Sequence, residues 1–451
     1  MASWHDTLRS GAWLTRERVR LVALAVLAAS LIGAGFLIAT SNGLNDRLGR
    51  PLGTDFSNVY AAGSYVLTGE ATAPFDPARQ YAREQAIFGT KTQFYGWHYP
   101  PFFLGLAAAL ALMPYPLALA VWQGVTLLLY LLAIRAILSA PPSPAGGGSR
   151  ATGARDEVSR AENDLPPAGG FPSPTFPLQG EVKRWWLLLA LAYPAVFINL
   201  GHGHNGFLTA ALIGAALVQL NSRPWLAGIL IGLLAYKPQF GLLIPLVLAV
   251  SGNWRTFASA TLTVLVLALA VTLAFGPDVW TAFLASTHFT RTVVLEQGGT
   301  GWYKIQSVFS VVRMWGGGID LAYAVQGAVT LGVAAALAWL WRSRASFALK
   351  TAALLIGCVL ATPYSLDYDL MLIAPAIAFL AADGIKRGFA PWEKSLLALL
   401  WIVPLFAREI AEATLIPLAV PSMLLAFGYL LHRAMRETGS AHAAAVLHSA
   451  P

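Results

Sequence analysis

The chain has 451 residues, of which 57% are hydrophobic and 12% charged, and 30 Lys+Arg against 22 Asp+Glu give a formal charge of +8. Mean hydropathy is +0.60. An average soluble domain carries about 25% charged residues, so a water-soluble globular fold is excluded, and solid apolar runs in place of alternating segments exclude a β-barrel. No clustered basic face suits nucleic acid, and the single cysteine, Cys358, lies in an apolar run, which rules out an intrachain disulfide and a cysteine-based metal site.

What remains is an all-α polytopic membrane protein. In lipid a helix satisfies its own backbone groups, and many runs approach the roughly 20 residues that cross about 30 Å of hydrocarbon. Arg9, Arg16, Arg18 and Arg20 precede a first span at about 20–40, which marks 1–19 as a cytoplasmic segment. That run is too long for a signal-peptide core and has no convincing cleavage site, so it reads as a retained helix. The polar stretch 42–98 is then a first external loop. Within it a mixed helix from Ser57 to Leu67 is expected at the interface. Asp76-Pro77 predicts a second helix start, because Asp caps free N–H groups and Pro suits the first helical position; that helix should run to Phe88 and stop at Gly89.

Spans two (99–113) and three (117–138) are joined by a Met113-Pro114-Tyr115-Pro116 turn. Residues 139–182 are rich in Pro, Gly and Ser and predict a disordered loop. An alternating count puts this loop outside, although Arg150, Arg155 and Arg160 argue against that side. Span four (185–200) and span five (206–220) flank Gly201-His202-Gly203-His204-Asn205-Gly206. Span six (225–250) is interrupted at Lys237-Pro238, where proline removes a backbone donor and kinks the helix. Span seven (256–275) leads to a second external loop, 276–304, and a short segment, 305–316. Spans eight (320–341), nine (350–363), ten (370–382), eleven (395–410) and twelve (414–432) follow, with 433–451 as a cytoplasmic tail. The basic residues Arg342, Arg344, Lys350, Lys386, Arg387, Lys394, Arg433 and Arg436 all fall inside on this count, which supports about twelve spans with both ends cytoplasmic.

Chemistry has few places to live in such a chain. Asp55 stands one step past the first span, where a carboxylate is costly to bury. It reads either as a solvated acid or helix cap, or as a general base taking a proton from an acceptor hydroxyl. Trp97, His98 and Tyr99, ahead of Pro100-Pro101, either open span two as interfacial aromatics or line a sugar or lipid-phosphate site. Mid-span Lys237 needs a partner: a snorkelling path, carbonyls freed by Pro238, or a lipid phosphate. The His202, His204, Asn205 cluster lacks a metal spacing and reads as a polar turn. His288, Arg291 and Lys304 either gather the positive charge that a leaving phosphate requires or form a solvated loop. Asp367 and Asp369 flank Tyr368 at the mouth of span ten, in position to pair with those cations.

Five stretches carry a family resemblance: TDFSNVYAAG (54–63), YPPFFL (99–104), GHNGFLTAAL (203–212), AYKPQFGLLIPLVL (235–248) and TPYSLDYDLMLIAPA (362–376). Together they resemble glycosyltransferase family 87, membrane enzymes of the GT-C fold that include polyprenyl-phosphate-mannose-dependent mannosyltransferases. The resemblance implies a GT-C transmembrane domain over 20–432 in the cytoplasmic membrane, with its active site facing outward. It implies inverting transfer of a mannose-like hexose from a polyprenyl-phosphate donor to a lipid or glycan acceptor, with no nucleotide-sugar site, cofactor or metal. Asp55 matches the family's catalytic base. The substrate-binding candidates are Tyr60, Trp97, His98, Tyr99, Lys237, His288, Arg291, Lys304, Asp367 and Asp369. His204 stands where the family commonly has glutamine. Inverting transfer needs one base and a phosphate-stabilising site, not the paired carboxylates of retaining hydrolysis. The rival class is a transporter or lipid flippase, which favours broken helices near the midplane in two repeated halves. Lys237-Pro238 is one such break, and the second half offers no counterpart.

Overall fold

Apolar runs that cannot leave backbone groups unpaired in lipid close on themselves as helices. The computed structural model describes residues 3–140 and 178–448, and among these it contains helices and isolated bridges but no strands. The first half comprises α1 (Trp4–Ser10), α2 (Arg16–Ala39), α3 (Thr54–Leu67), α4 (Pro77–Phe88), α5 (Leu104–Ala111), α6 (Tyr115–Ser139), α7 (Leu178–Leu191), α8 (Pro194–His202) and α9 (Gly206–Gln219). The second comprises α10 (Pro224–Gly232), α11 (Pro238–Gly241), α12 (Ile244–Val250), α13 (Trp254–Phe275), α14 (Asp278–Phe289), α15 (Val308–Met314), α16 (Ile319–Arg342), α17 (Phe347–Leu360), α18 (Ile373–Arg387), α19 (Glu393–Ile402), α20 (Ala407–Thr414) and α21 (Ala419–His448).

By length and apolarity five segments of the described residues suffice to cross a membrane: α2, α6, α13, α16 and Asp367–Arg387, which contains α18. A bent pair, Trp185–Leu191 with α8, makes a sixth at an angle of 48°. The other expected spans are short or broken pieces, and proline accounts for the breaks. Pro194 divides span four, Pro238 divides span six, and Pro404 sits in the 3-10 turn that divides span eleven. The central element is α18, enclosed on nearly every side, whereas α2 is apolar and almost wholly exposed, as a lipid-facing helix should be.

Within the first loop the local signals hold. Asp76 caps α4, its side chain accepting from the N–H groups of Ala78 and Arg79, with Pro77 in the first turn and Gly89 at the end. The helix expected from Ser57 starts three residues earlier, at Thr54.

Span two differs from expectation. Tyr99 donates to or accepts from His204 Nε2 at one end of this segment, and at the other Tyr115 donates to the Leu52 and Gly53 carbonyls. Gly53 in turn packs against Gly203, so both ends of 99–115 lie at one end of the bundle. The segment turns back instead of crossing. It packs along α3 so closely that a Cβ on Gly63 would sit 2.0 Å from the Ala107 carbonyl oxygen.

This reverses one side assignment. α6 starts beside Leu52 and runs 25 residues, about 37 Å. It ends at Ala140, whose carbonyl accepts from Lys386 at the far end of α18. Asp55 and Ala140 therefore lie at opposite ends of the bundle, whereas the alternating count puts loops 42–98 and 139–182 on the same side. Residues 141–177 of the expected disordered loop lie outside the described residues. At that same far end α1 docks on the start of α19: Trp392 N–H donates to Arg9 O at 2.7 Å, and Trp13 Nε1 donates to Ser395 Oγ at 2.8 Å. Arg433 there meets buried Glu393 and, at 3.0 Å, Asp383.

Candidate active site

The site forms where three chain turns meet. α3 opens at Thr54 behind Gly53, which has no side chain to cap it, so Asp55 lies in the first turn among unpaired N–H groups. α8 ends at His202, and Gly203 follows in the left-handed conformation with φ 64. A Cβ on Gly203 would sit 2.6 Å from Phe56 Cβ, so glycine alone lets the end of α8 abut the start of α3. His202 Nδ1 comes to 2.9 Å from Thr54 Oγ1 and 3.8 Å from Asp55 Oδ1. Both side chains keep access to solvent, 26% for His202 and 20% for Asp55.

Behind this pair stands a buried wall. Tyr99 Oη lies 3.0 Å from His204 Nε2, and the His204 ring stacks on Tyr368 at a centroid distance of 3.5 Å. Lys237 Nζ lies 5.4 Å from the Tyr368 ring and 2.5 Å from Asp369 Oδ1. The other Asp369 oxygen accepts from Leu366 N–H at 3.0 Å. Asp367 accepts from Tyr368 N–H and pairs with Arg408 at 3.2 Å.

The second loop joins the site through Lys304 and Thr290. Ile305 bridges Leu366, and Gln306 N–H donates to Ser365 O at 2.6 Å, which brings Lys304 within range of the charges of Arg408, Asp367 and Asp55. Burial and the Arg408 charge hold the Lys304 ammonium below its ordinary pKa. His98 Nδ1 lies 2.9 Å from Thr290 Oγ1, the first residue of a π-helical turn, Thr290–Glu296. Burial pushes the His98 imidazole down to about 4, against a smaller upward pull from Asp55, so it is neutral at physiological pH.

Glu84 braces the segment that carries His98 and Tyr99. Its fully buried carboxylate accepts from the N–H groups of Tyr95 and Gly96 at 3.0 Å each and from Gln80 Nε2 at 3.2 Å. Gln80 also donates to Asn58 O in α3, the helix of Asp55. Burial raises the Glu84 carboxyl to about 7.

Of the residues singled out from the sequence, Asp55, His98, Tyr99, Lys237, Lys304, Asp367 and Asp369 share this region, and the Asp55 charge acts on His98, Tyr99, Lys237 and Lys304. Others do not join it. His288 and Arg291 are exposed, and Arg291 pairs with Glu296 at 3.2 Å. The expected pairing of Asp367 and Asp369 with the second-loop cations gives way to Arg408 and Lys237. Trp97 is core, packed on Tyr99 and Phe103, and the Tyr60 hydroxyl donates to Met113 O. Sequence reasoning missed Arg408, His202, His204 and Glu84 as site members. Arg408 had a signal: a charge inside an expected span is functional by default. His204 had one in the GHNGFLTAAL stretch, whereas His202 had none, since a polar turn and a site wall look alike in one sequence.

The family model for glycosyltransferase family 87 matches residues 97–363, more than half of the chain. The chain belongs to glycosyltransferase family 87. It is a membrane glycosyltransferase, consistent with the GT-C superfamily. No curated protein and no solved structure matches it. The match takes in Tyr99, His202, His204, Lys237 and Lys304, while Asp55, Asp367, Asp369 and Arg408 lie beyond its limits.

Proposed function

We propose that this glycosyltransferase moves a mannose-like hexose from a polyprenyl-phosphate donor to a lipid or glycan acceptor, with inversion and with Asp55 as general base. The observation that carries the reading is an accessible carboxylate, Asp55, sharing one mouth with two cations, Lys304 and Arg408. Asp55 takes the proton of the acceptor hydroxyl as its oxygen attacks the sugar C1. The bond from C1 to the phosphate oxygen breaks on the opposite face, and the phosphate leaves with the electron pair. Lys304 and Arg408 hold that developing charge. Lys237 is committed to Asp369, so its part is to fix the Tyr368 and His204 wall. Neutral His98, held by Thr290, is available to hydrogen-bond a sugar hydroxyl.

A polyprenyl tail stays in lipid while its sugar phosphate sits at the interface, which suits a base at the end of a helix bundle. Lys386, Lys394 and Arg433 gather at the end opposite Asp55, so by the positive-inside rule the Asp55 end faces outward from the cytoplasmic membrane. Counting the two legs of 224–250 separately, and leaving out the returning 99–115, gives about twelve passes.

The test is donor choice. Purified protein is given radiolabelled polyprenyl-phosphate mannose or nucleotide-linked mannose together with a membrane lipid extract. Label should reach an acceptor from the polyprenyl donor alone. Transfer from the nucleotide sugar, or substrate uptake into vesicles with no transfer from any donor, would contradict the reading.

A further inference from the structure

We propose that His202 is a positioning residue for Asp55, holding one carboxylate oxygen so that the other faces the acceptor hydroxyl. The inference rests on the reading of Asp55 as base. Asp55 has no other fixed side-chain neighbour of opposite charge within ion-pair distance among the described residues. A carboxylate left to rotate freely presents its oxygens in many directions, and orientation is a large part of what a catalytic group contributes.

The local build favours this pair. The first turn of α3 leaves N–H groups unpaired, so its positive end favours a carboxylate at Asp55. α8 ends at His202, so the negative end of its dipole favours a cation or N–H donor there. Gly203 brings those two ends into van der Waals contact. His202 Nδ1 lies 2.9 Å from Thr54 Oγ1 and 3.8 Å from Asp55 Oδ1, so the ring faces the Asp55 carboxylate within ion-pair distance. The ring is steadied from its side by Tyr368, edge-on at 5.6 Å. The other charged groups acting on it are Asp367 and Arg408, which are already paired with each other. In sequence this histidine looks like part of a polar turn. In the fold it is the accessible one of the two, since His204 is buried against Tyr368.

The test compares His202→Ala, His202→Asn and Asp55→Asn in purified protein with labelled polyprenyl-phosphate mannose, and reads kcat and donor KM separately. Asparagine keeps a donor near the Nδ1 position, whereas alanine removes it. Losing a hydrogen bond to a charged group predicts a fall in kcat of roughly 10- to 100-fold for His202→Ala, with donor KM within about twofold. His202→Asn should recover most of the rate, and added imidazole should partly restore His202→Ala. Wild-type kcat in His202→Ala overturns the proposal, as does a loss that neither asparagine nor imidazole repairs. If Asp55→Asn is inactive and His202→Ala is normal, only this inference fails. If Asp55→Asn turns over normally, the assignment of the base fails first.

Discussion

Lys237 Nζ and Asp369 Oδ1 lie 2.5 Å apart inside the bundle, each almost wholly enclosed, although 132 residues separate them in the chain. Desolvation offsets much of their attraction, so the pair is weak evidence for stability in itself. Removing one partner is another matter, because the survivor is left charged and buried.

Lys237→Ala or Asp369→Asn should therefore lower the unfolding free energy by about 3–5 kcal/mol. The double change Lys237→Met with Asp369→Leu should recover most of that loss. Denaturation in detergent would check both. A single change that leaves stability intact would mean the pair is not closed in the folded protein.

Glu84 predicts a pH dependence. Its carboxyl is raised from 4.5 to about 7, so between those values the folded chain keeps a proton that the unfolded chain has released. Its contribution to stability is full below about 4.5 and is lost as pH rises through 7. His98, lowered from 6.5 to about 4, acts with the opposite sign between those values, its contribution growing as pH rises. Comparing Glu84→Gln with wild type isolates the glutamate. From pH 5 to pH 8 the variant should gain on wild type by up to about 3 kcal/mol. A constant difference across that range would contradict the buried, proton-holding Glu84.

Lys304 and Arg408 should separate from His288 and Arg291. Lys304→Ala and Arg408→Ala should each lower kcat/KM for the polyprenyl donor by roughly 10- to 100-fold, as expected for a lost charge-assisted bond to phosphate. Arg408→Ala should also cost stability, because Asp367 is left buried without its partner. His288→Ala and Arg291→Ala should stay within about twofold of wild type, both being exposed and Arg291 already paired with Glu296. Equal losses in all four would contradict the assignment of the phosphate site to Lys304 and Arg408.

What was legible in the sequence was local. The cap and stop of α4 were readable because Asp76, Pro77 and Gly89 act on backbone groups two or three residues away. Asp55 was singled out by the resemblance of TDFSNVYAAG to the family pattern, since composition alone leaves it a solvated acid or a helix cap. The turn-back of 99–115 was not, since an apolar helix packed on α3 has the same composition as one packed in lipid. Its length was the available clue, because Pro101–Ala111 falls short of the roughly 20 residues a crossing needs. Pairings such as Lys237 with Asp369 and Thr54 with His202 join positions more than a hundred residues apart, and no periodicity in a single chain encodes them.

The central claim is that Asp55 takes the acceptor's proton, and Asp55→Asn tests it most directly. The substitution keeps the size and hydrogen-bonding reach of the side chain and removes its basicity. In a transfer assay with labelled polyprenyl-phosphate mannose, the variant should express, melt and bind donor like wild type, while its turnover falls by roughly 100- to 10,000-fold. Undiminished turnover in Asp55→Asn would contradict the account.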